Sequence, residues 1–244
     1  MDKKTVLITG GATGIGRATA LALARQGLNI AINYSRSEDD ALTAAAEVQA
    51  IGAACLTYRA DVADDLQVRA MVHAVADRFG GLDYLVNSAG VTNFVDYADL
   101  NGMKDEYWDR AFGINVKGLF YVCRAASAYL KAAGGSIVNI TSIAGMTGKG
   151  SSIAYAASKA AAISVTKSLA QTLAPDVRVN SVAPGIVMTR WVEGKEDHIE
   201  RLSKGTPLGR VCYAEDVAEV VVPLLLSSGM MTGQTIVVDG GAIM

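Results

Sequence analysis

Thr5-Val6-Leu7-Ile8-Thr9 is a short β-branched apolar run, and Gly10-Gly11-Ala12-Thr13-Gly14-Ile15-Gly16 follows it without a break. A run of this length and composition reads as a buried strand. From Arg17 to Gln26, Ala20, Leu21 and Ala24 recur at helical spacing, and Gly27 stops the pattern. Strand, glycine turn and helix form the start of a dinucleotide-binding βαβ unit. Glycines let the backbone turn tightly and approach a pyrophosphate, which rests on the helix N-terminus. The spacing Gly10-x-x-x-Gly14-x-Gly16 differs from the generic G-x-G-x-x-G. Glycine-rich strand-to-helix turns also occur without a ligand, so the remainder of the chain has to decide between the two.

The alternation continues to the C-terminus. Strands are expected over Asn29–Tyr34, Cys55–Ala60, Tyr84–Asn87, Ser136–Ile140, Val177–Ala183 and Thr235–Val238. Helices are expected over Glu38–Ile51, Asp64–Phe79, Asp105–Leu130, Ser152–Leu173 and Glu215–Ser227, with a small one over Glu193–Lys204. Asp64 is the expected N-cap of its helix, Gly80-Gly81 its stop, and Pro223 an expected distortion of the last one. Strands alternating with helices imply an α/β fold, a parallel sheet with helices on both faces.

The length of 244 residues suits one domain. There is no proline- or glycine-rich linker, charge block or internal repeat. The 22 basic and 24 acidic residues nearly cancel, which argues against a nucleic-acid surface. No apolar run reaches the ~18 residues that a membrane helix needs. Met1-Asp2-Lys3-Lys4 leads straight into the first strand, so no signal peptide is expected. Cys55, Cys123 and Cys212 are isolated and fit reduced cysteines of a cytoplasmic protein. His73 and His198 lie in no ligand-spaced motif, and no metal site is expected.

Tyr155 and Lys159, in Ala154-Tyr155-Ala156-Ala157-Ser158-Lys159, carry the chemistry. On a helix they lie one turn apart on one face. A phenol ionises near pH ~10. An adjacent ammonium is expected to lower that value, giving an acid able to protonate a carbonyl oxygen near neutral pH.

With these elements in order, the chain resembles the short-chain dehydrogenase/reductase family along nearly its whole length. Thr9-Gly10-x-x-x-Gly14-x-Gly16 matches the nucleotide turn, which includes Thr13 and Ile15, and Asp61-Val62 the pair near the adenine. Asn87-Ser88-Ala89-Gly90 matches the Asn-Asn-Ala-Gly motif, with Ser88 replacing the second Asn. Asn115, Ser142, Tyr155 and Lys159 match the catalytic four. Pro184-Gly185, Val187 and Thr189 match the segment that holds the nicotinamide amide. The resemblance implies a Rossmann-type doubly wound sheet of order 3-2-1-4-5-6-7, with a substrate-side segment at about 186–212. It implies that Tyr155 donates a proton as hydride reaches carbon, and that Ser142 polarises the substrate oxygen. Lys159 would hold the nicotinamide ribose, and Asn115 would hold a water that relays protons.

NAD-preferring sites place an acid near the end of strand two. Here the chain reads Asn33-Tyr34-Ser35-Arg36, with Tyr34 in the place of that acid. Arg36 can pair with a 2′-phosphate and Ser35 can donate to it, so NADP(H) is expected over NAD(H). A small-molecule ketone or secondary alcohol is the expected substrate. Its apolar lining is expected from Val91 to Phe94, from Ala144 and Met146, and from Ile186 to Glu193, with Trp191 among the bulky members. A homotetramer or homodimer is implied, built on the alanine-rich Ser152–Leu173 helix and the one from Asp105. The chain is close to the 3-oxoacyl-carrier-protein reductases. However, Lys131-Ala132-Ala133-Gly134-Gly135 and Gln171 make the basic carrier-docking surface thin. A general NADPH-dependent ketone reductase is therefore favoured over a dedicated fatty-acid enzyme. The rival from another class is a nucleotide-binding regulator without catalysis, expected to have lost one of the four. Sugar-nucleotide epimerases carry a longer C-terminal domain than a chain ending at Met244 provides.

Overall fold

A computed structural model describes residues 3–190, Ser203 and 205–244. The small helix expected over Glu193–Lys204, apart from Ser203, lies outside the described residues, as do Trp191 and His198.

In chain order the elements are β1 (Thr5–Thr9), α1 (Gly14–Arg25), β2 (Asn29–Tyr34), α2 (Glu38–Ala50), β3 (Cys55–Arg59), α3 (Asp65–Phe79) and β4 (Tyr84–Asn87). Then come α4 (Asp105–Phe112), a π-helical segment (Gly113–Gly118), α5 (Leu119–Ala133), β5 (Ser136–Ile140), α6 (Ala144–Thr147), α7 (Ile153–Leu173) and β6 (Arg178–Pro184). The last are β7 (Val187–Met188), β8 (Cys212–Tyr213), α8 (Ala214–Leu226) and β9 (Thr235–Val238). Seven strands form a parallel sheet of order β3-β2-β1-β4-β5-β6-β9, the order that the family resemblance implies. A separate parallel pair joins β7 to β8.

Strand periodicity explains the two helical layers. Val6 and Ile8 of β1, Ile30 and Ile32 of β2, and Val138 and Ile140 of β5 face one core, which α1, α2 and α8 close with Leu23, Val48 and Val221. The alternate residues Leu7, Ala31, Leu85 and Ile137 face the other, closed by α3, α5 and α7 through Met71, Val122 and Leu169. Side chains of period two on a central strand must be apolar on both faces, which is why these strands read as continuous apolar runs. Each fully buried Leu or Ile contributes about 1.5–3 kcal/mol.

Helix ends follow local chemistry. The Asp64 carboxylate accepts from the Leu66 and Gln67 amides, and Gly80 closes α3 at φ 79°. Such an N-cap contributes about 1 kcal/mol. Ser152 caps α7 by accepting from the Tyr155 amide at 3.2 Å. Pro223 lies within α8, and the Ser227 and Ser228 amides turn back onto its carbonyl.

Three features differ from the sequence reading. The long helix from Asp105 runs to Ala133 and is broken by the π-helical segment, α1 begins at Gly14 rather than Arg17, and α6, β7 and β8 were not expected. The early start of α1 places Gly14, Ile15 and Gly16 in its first turn.

Candidate active site

The parallel sheet brings the ends of its strands to one edge. Thr9, Tyr34, Asn87, Ile140 and Pro184 are the last residues of β1, β2, β4, β5 and β6. In the strand order, connections reverse direction between β1 and β4, and the crevice at such a reversal is where open α/β sheets bind ligands.

The glycine turn is fitted into this crevice. Gly10 has φ 61°, and a Cβ there would come 2.8 Å from the Ala89 Cα. A Cβ on Gly16 would overlap the Gly10 carbonyl. The Thr9 hydroxyl accepts from the Ser88 and Ala89 amides, each at 3.2 Å, and so pins the β4 exit to the β1 exit. Asn33 is a second clamp: its amide donates to the Ala60 carbonyl at 3.0 Å while its oxygen accepts from Gly10 at 3.4 Å. Thr13, the N-cap of α1, accepts from the Arg17 amide with its carbonyl but makes no side-chain capping bond, so the Gly14, Ile15 and Gly16 amides receive no acceptor from the cap side chain. Helix N-terminal amides without a capping acceptor, above glycines that admit close approach, fit a dinucleotide pyrophosphate.

The other cofactor candidates line the same crevice. Val62 is buried against Gly118, and the exposed Asp61 carboxylate accepts from the Ala63 amide at 2.9 Å. Asn87 turns into the core, donating to Asn139 at 2.9 Å and to Cys123 Sγ at 3.2 Å, while its own oxygen is buried without a partner. Ala89 and Gly90 follow it, partly exposed. Across the crevice, Pro184 accepts from the Ile143 amide and Gly185 donates to Val238. Val187 lies in β7, and Thr189 sits over Gly14, where a Cβ would come 3.2 Å from Thr189 Cγ2. At the end of β2, Tyr34 is half-buried, with Ser35 and Arg36 exposed beside it. Burial, and then the Glu38 carboxylate hydrogen-bonded to it, raise the Tyr34 phenol.

Asn115, Ser142, Tyr155 and Lys159 converge from three elements. Tyr155 and Lys159 lie on one face of α7, with the Lys159 ammonium 5.7 Å from the Tyr155 ring centre. Ser142, just beyond β5, hydrogen-bonds the Tyr155 oxygen and accepts from the Ala144 amide at 3.1 Å. Lys159 is 5% exposed and donates to the Ile140 carbonyl at 2.9 Å. Asn115 lies in the π-helical segment, a distortion frequent at functional sites. Its amide donates to Val91 at 3.0 Å and to Ser158 at 2.9 Å, and its oxygen accepts from the Val91 amide. Ser158 in turn donates to the Tyr155 carbonyl at 2.7 Å. Val91 and Ser158 are positioning residues that no motif singles out; Ser158 beside Lys159 in the tyrosine motif was the available signal.

The acid–base balance corrects one expectation. Burial pushes Tyr155 up to about 12, and the Ser142 hydrogen bond opposes this only in part. Lys159 does not lower it. Its ammonium is held on a carbonyl, and burial brings its own value down to about 8. Desolvation outweighs charge proximity here.

A cavity of about 220 Å³ is lined by Ile143, the residue after Ser142, and by Ile186, Gly205, Thr206, Val211, Asp239 and Ala242. Of the expected lining, Ile186 is here; Phe94 and Met146 are 57% and 52% exposed and do not line it. The Asp239 carboxylate is held by the Gly241 and Ile243 amides at 2.8 and 3.0 Å, so its presence does not make the cavity a cation site.

A fold of this order with a tyrosine, lysine, serine and asparagine at its carboxyl edge agrees with the comparisons. A family model described as enoyl-(acyl carrier protein) reductase matches residues 10–242. A Streptomyces violaceoruber protein of the granaticin polyketide synthase, described as a candidate ketoacyl reductase, is 41% identical, covering 99% of this chain and 96% of its own. The 3-oxoacyl-(acyl-carrier-protein) reductase FabG of Staphylococcus aureus is 38% identical, covering 99% and 98%. A solved short-chain type dehydrogenase/reductase from Mycobacterium marinum superposes with a TM-score of 0.91 at 35% identity, covering 98% and 95%. The chain belongs to the short-chain dehydrogenase/reductase family. It is an oxidoreductase acting on carbonyl and hydroxyl groups, with a nicotinamide dinucleotide as the cofactor class.

The depressed Lys159 value sets a stability profile. Below about pH 8 the ammonium is charged in both the folded and unfolded chains, and its burial cost is fully present. Between about 8 and 10.5 the folded chain has released a proton that the unfolded chain keeps, so stability rises with pH. The wild type should therefore gain on Lys159→Met by on the order of 1–3 kcal/mol across that window. Urea unfolding of both proteins from pH 7 to 10.5 checks this; a pH-independent difference would contradict the buried-ammonium reading.

Proposed function

We propose that the chain is an NADPH-dependent ketone reductase in which Tyr155 is the proton donor. The observation that carries this reading is the Tyr155 oxygen hydrogen-bonded to Ser142, with Lys159 one helical turn away on the same face of α7. With a value of about 12, Tyr155 holds its proton at neutral pH, as an acid for carbonyl reduction must. A bound nicotinamide supplies the hydride. Tyr155 gives its phenolic proton to the substrate oxygen, while Ser142 hydrogen-bonds the same oxygen and polarises the carbonyl. Lys159, held on the Ile140 carbonyl at 2.9 Å, would hold the ribose hydroxyls of the bound cofactor and, turned toward Tyr155, would favour the phenolate left by proton transfer. Both amide protons of Asn115 are donated to protein groups and its side-chain oxygen accepts from Val91, so Asn115 would hold the relay water implied by the family only through acceptor capacity left on its oxygens.

Gly10, Thr13, Gly14, Ile15 and Gly16 would hold the pyrophosphate, and Tyr34, Ser35 and Arg36 the 2′-phosphorylated ribose. Asp61, Val62, Asn87, Ala89 and Gly90 would hold the adenine and central part, and Pro184, Gly185, Val187 and Thr189 the nicotinamide amide. We take 1–244 as one catalytic domain, with 186–212 on the substrate side; Ile186, Gly205, Thr206 and Val211 around the cavity support this.

A cavity of about 220 Å³ is below the ~300–1,000 Å³ of pockets for drug-sized ligands. We take it as the substrate cavity because Ile143 directly follows Ser142, and a volume of this size then suits a small apolar ketone. The second reading, reduction of a carrier-bound 3-oxoacyl chain, is favoured by the names of the relatives above. Against it, Lys131 and Gln171 are a sparse basic edge for an acidic carrier.

We also propose a homotetramer. On α7, Ala154, Ala156 and Ala162 are buried within the chain's own fold, but Ala160 is exposed, as are Phe120 on α5 and Leu66 on α3 at 39% and 79%. Small and apolar side chains on these helices suit close helix–helix contact between copies.

Tyr155→Phe should reduce kcat by at least about 100-fold while changing NADPH affinity less than about threefold, since only the proton donor is lost; wild-type turnover in this variant would sink the mechanism. Comparison of kcat/KM for a carrier-bound 3-oxoacyl chain, its free thioester and simple cyclic ketones should favour the ketones. A preference for the carrier-bound substrate of about 100-fold over the free thioester, some 2.7 kcal/mol, would make the second reading correct. Light scattering at micromolar concentration should return a tetramer mass, and a monomer would rule that assembly out.

A further inference from the structure

The chain leaving β6 crosses the crevice and reaches the far side. Thr189 lies on the glycine turn, and the next residue, Arg190, points its guanidinium at the start of α2. Nη1 donates to the Asp40 carboxylate at 3.1 Å and Nη2 to the Ser37 hydroxyl at 3.1 Å. Ser37 directly follows Arg36, so two guanidinium-bearing residues from distant parts of the chain meet at one turn. Arg36 is exposed and forms no ion pair among the described residues.

Charge at this turn calls for the second cation. The first turn of α2 carries Glu38, Asp39 and Asp40. A phosphate monoester bears about −1.5 to −2 charges near neutral pH. Placed beside three carboxylates, it is not balanced by Arg36 alone. Arg190 is half exposed, and its pair with Asp40 is a surface ion pair. Such pairs contribute little, so exchange for a phosphate, which accepts two parallel N–H bonds from a guanidinium, is favourable.

We propose that Arg190 is a second 2′-phosphate-binding residue, which exchanges Asp40 for the phosphate and reads it together with Arg36. The inference rests on the NADP reading above and extends it. Cofactor choice is then made by two segments on opposite sides of the crevice. The shared fold would explain why the β2 turn alone looks under-charged for its task.

Calorimetric titration with adenosine 2′,5′-bisphosphate and with 5′-AMP, on the full-length protein, tests it without turnover. Arg190→Gln should weaken the bisphosphate at least about fivefold and leave 5′-AMP within about twofold, as loss of one charge-assisted pair requires. Asp40→Asn, which frees Arg190 and removes a repelling charge, should tighten the bisphosphate and not 5′-AMP. Because Asp40→Asn gains affinity, misfolding cannot imitate it. An equal loss of both probes in Arg190→Gln would make Arg190 a strap rather than a phosphate reader, and no change in either would remove it from the site; both overturn the proposal. If Arg36→Glu loses the bisphosphate preference and Arg190→Gln keeps it, this inference fails and the NADP reading stands. If the wild type shows no preference for the bisphosphate, both fail.

Discussion

Backbone packed on backbone at the carboxyl edge of the sheet sets the geometry of everything above it. Gly10 lies against Ala89, and Gly16 against Gly10, at distances where a Cβ would meet main-chain atoms that cannot step aside. Thr9 and Asn33 hold the same place from below with four hydrogen bonds to Ser88, Ala89, Gly10 and Ala60. The exits of β1, β2 and β4 are thereby fixed to one another. The first-turn amides of α1 are aimed into the crevice as a consequence, and Thr189 can rest on Gly14 because no side chain stands between them.

The reacting groups are held by a second layer of contacts. A Cβ on Gly145 would come 2.6 Å from the Ala160 amide, so α6 lies directly on the α7 backbone at Lys159 and Ala160. Asn115 joins the β4 exit at Val91 to Ser158, and Ser158 joins it to Tyr155. The π-helical segment turns Asn115 into that position from the middle of a long helix. The site is expensive in solvation terms. Burial acts against both ionised forms, raising Tyr155 to about 12 and lowering Lys159 to about 8. A protein that maximised stability would not bury an ammonium on one carbonyl, and this one does so beside Tyr155.

Residues legible in the sequence were those whose role depends on near neighbours or on a motif. The strands β1, β4 and β5, the Asp64 cap and the Gly80 stop appear where the pattern put them. The four candidate residues Asn115, Ser142, Tyr155 and Lys159 and the glycine turn share one edge, in keeping with the motif order. The direction of the Tyr155 shift was misread, because a sequence gives the spacing of two charges and not the depth at which they lie. Of the residues expected to line a substrate site, Ile186 borders the cavity. Val211, Thr206 and Asp239 come to it from far along the chain, through the β7–β8 pairing and the bond of the Leu208 amide to the Gly240 carbonyl.

The sequence by itself determined the class of fold, the strand order through family resemblance, and which side chains are candidates for the chemistry, because periodicity, glycine and capping act over a few residues. Tertiary structure decided the protonation balance of Tyr155 and Lys159, the shape of the cavity and the meeting of Arg190 with Ser37 and Asp40. Those depend on burial and on contacts between segments as far apart as 153 residues, and no local pattern encodes such a distance.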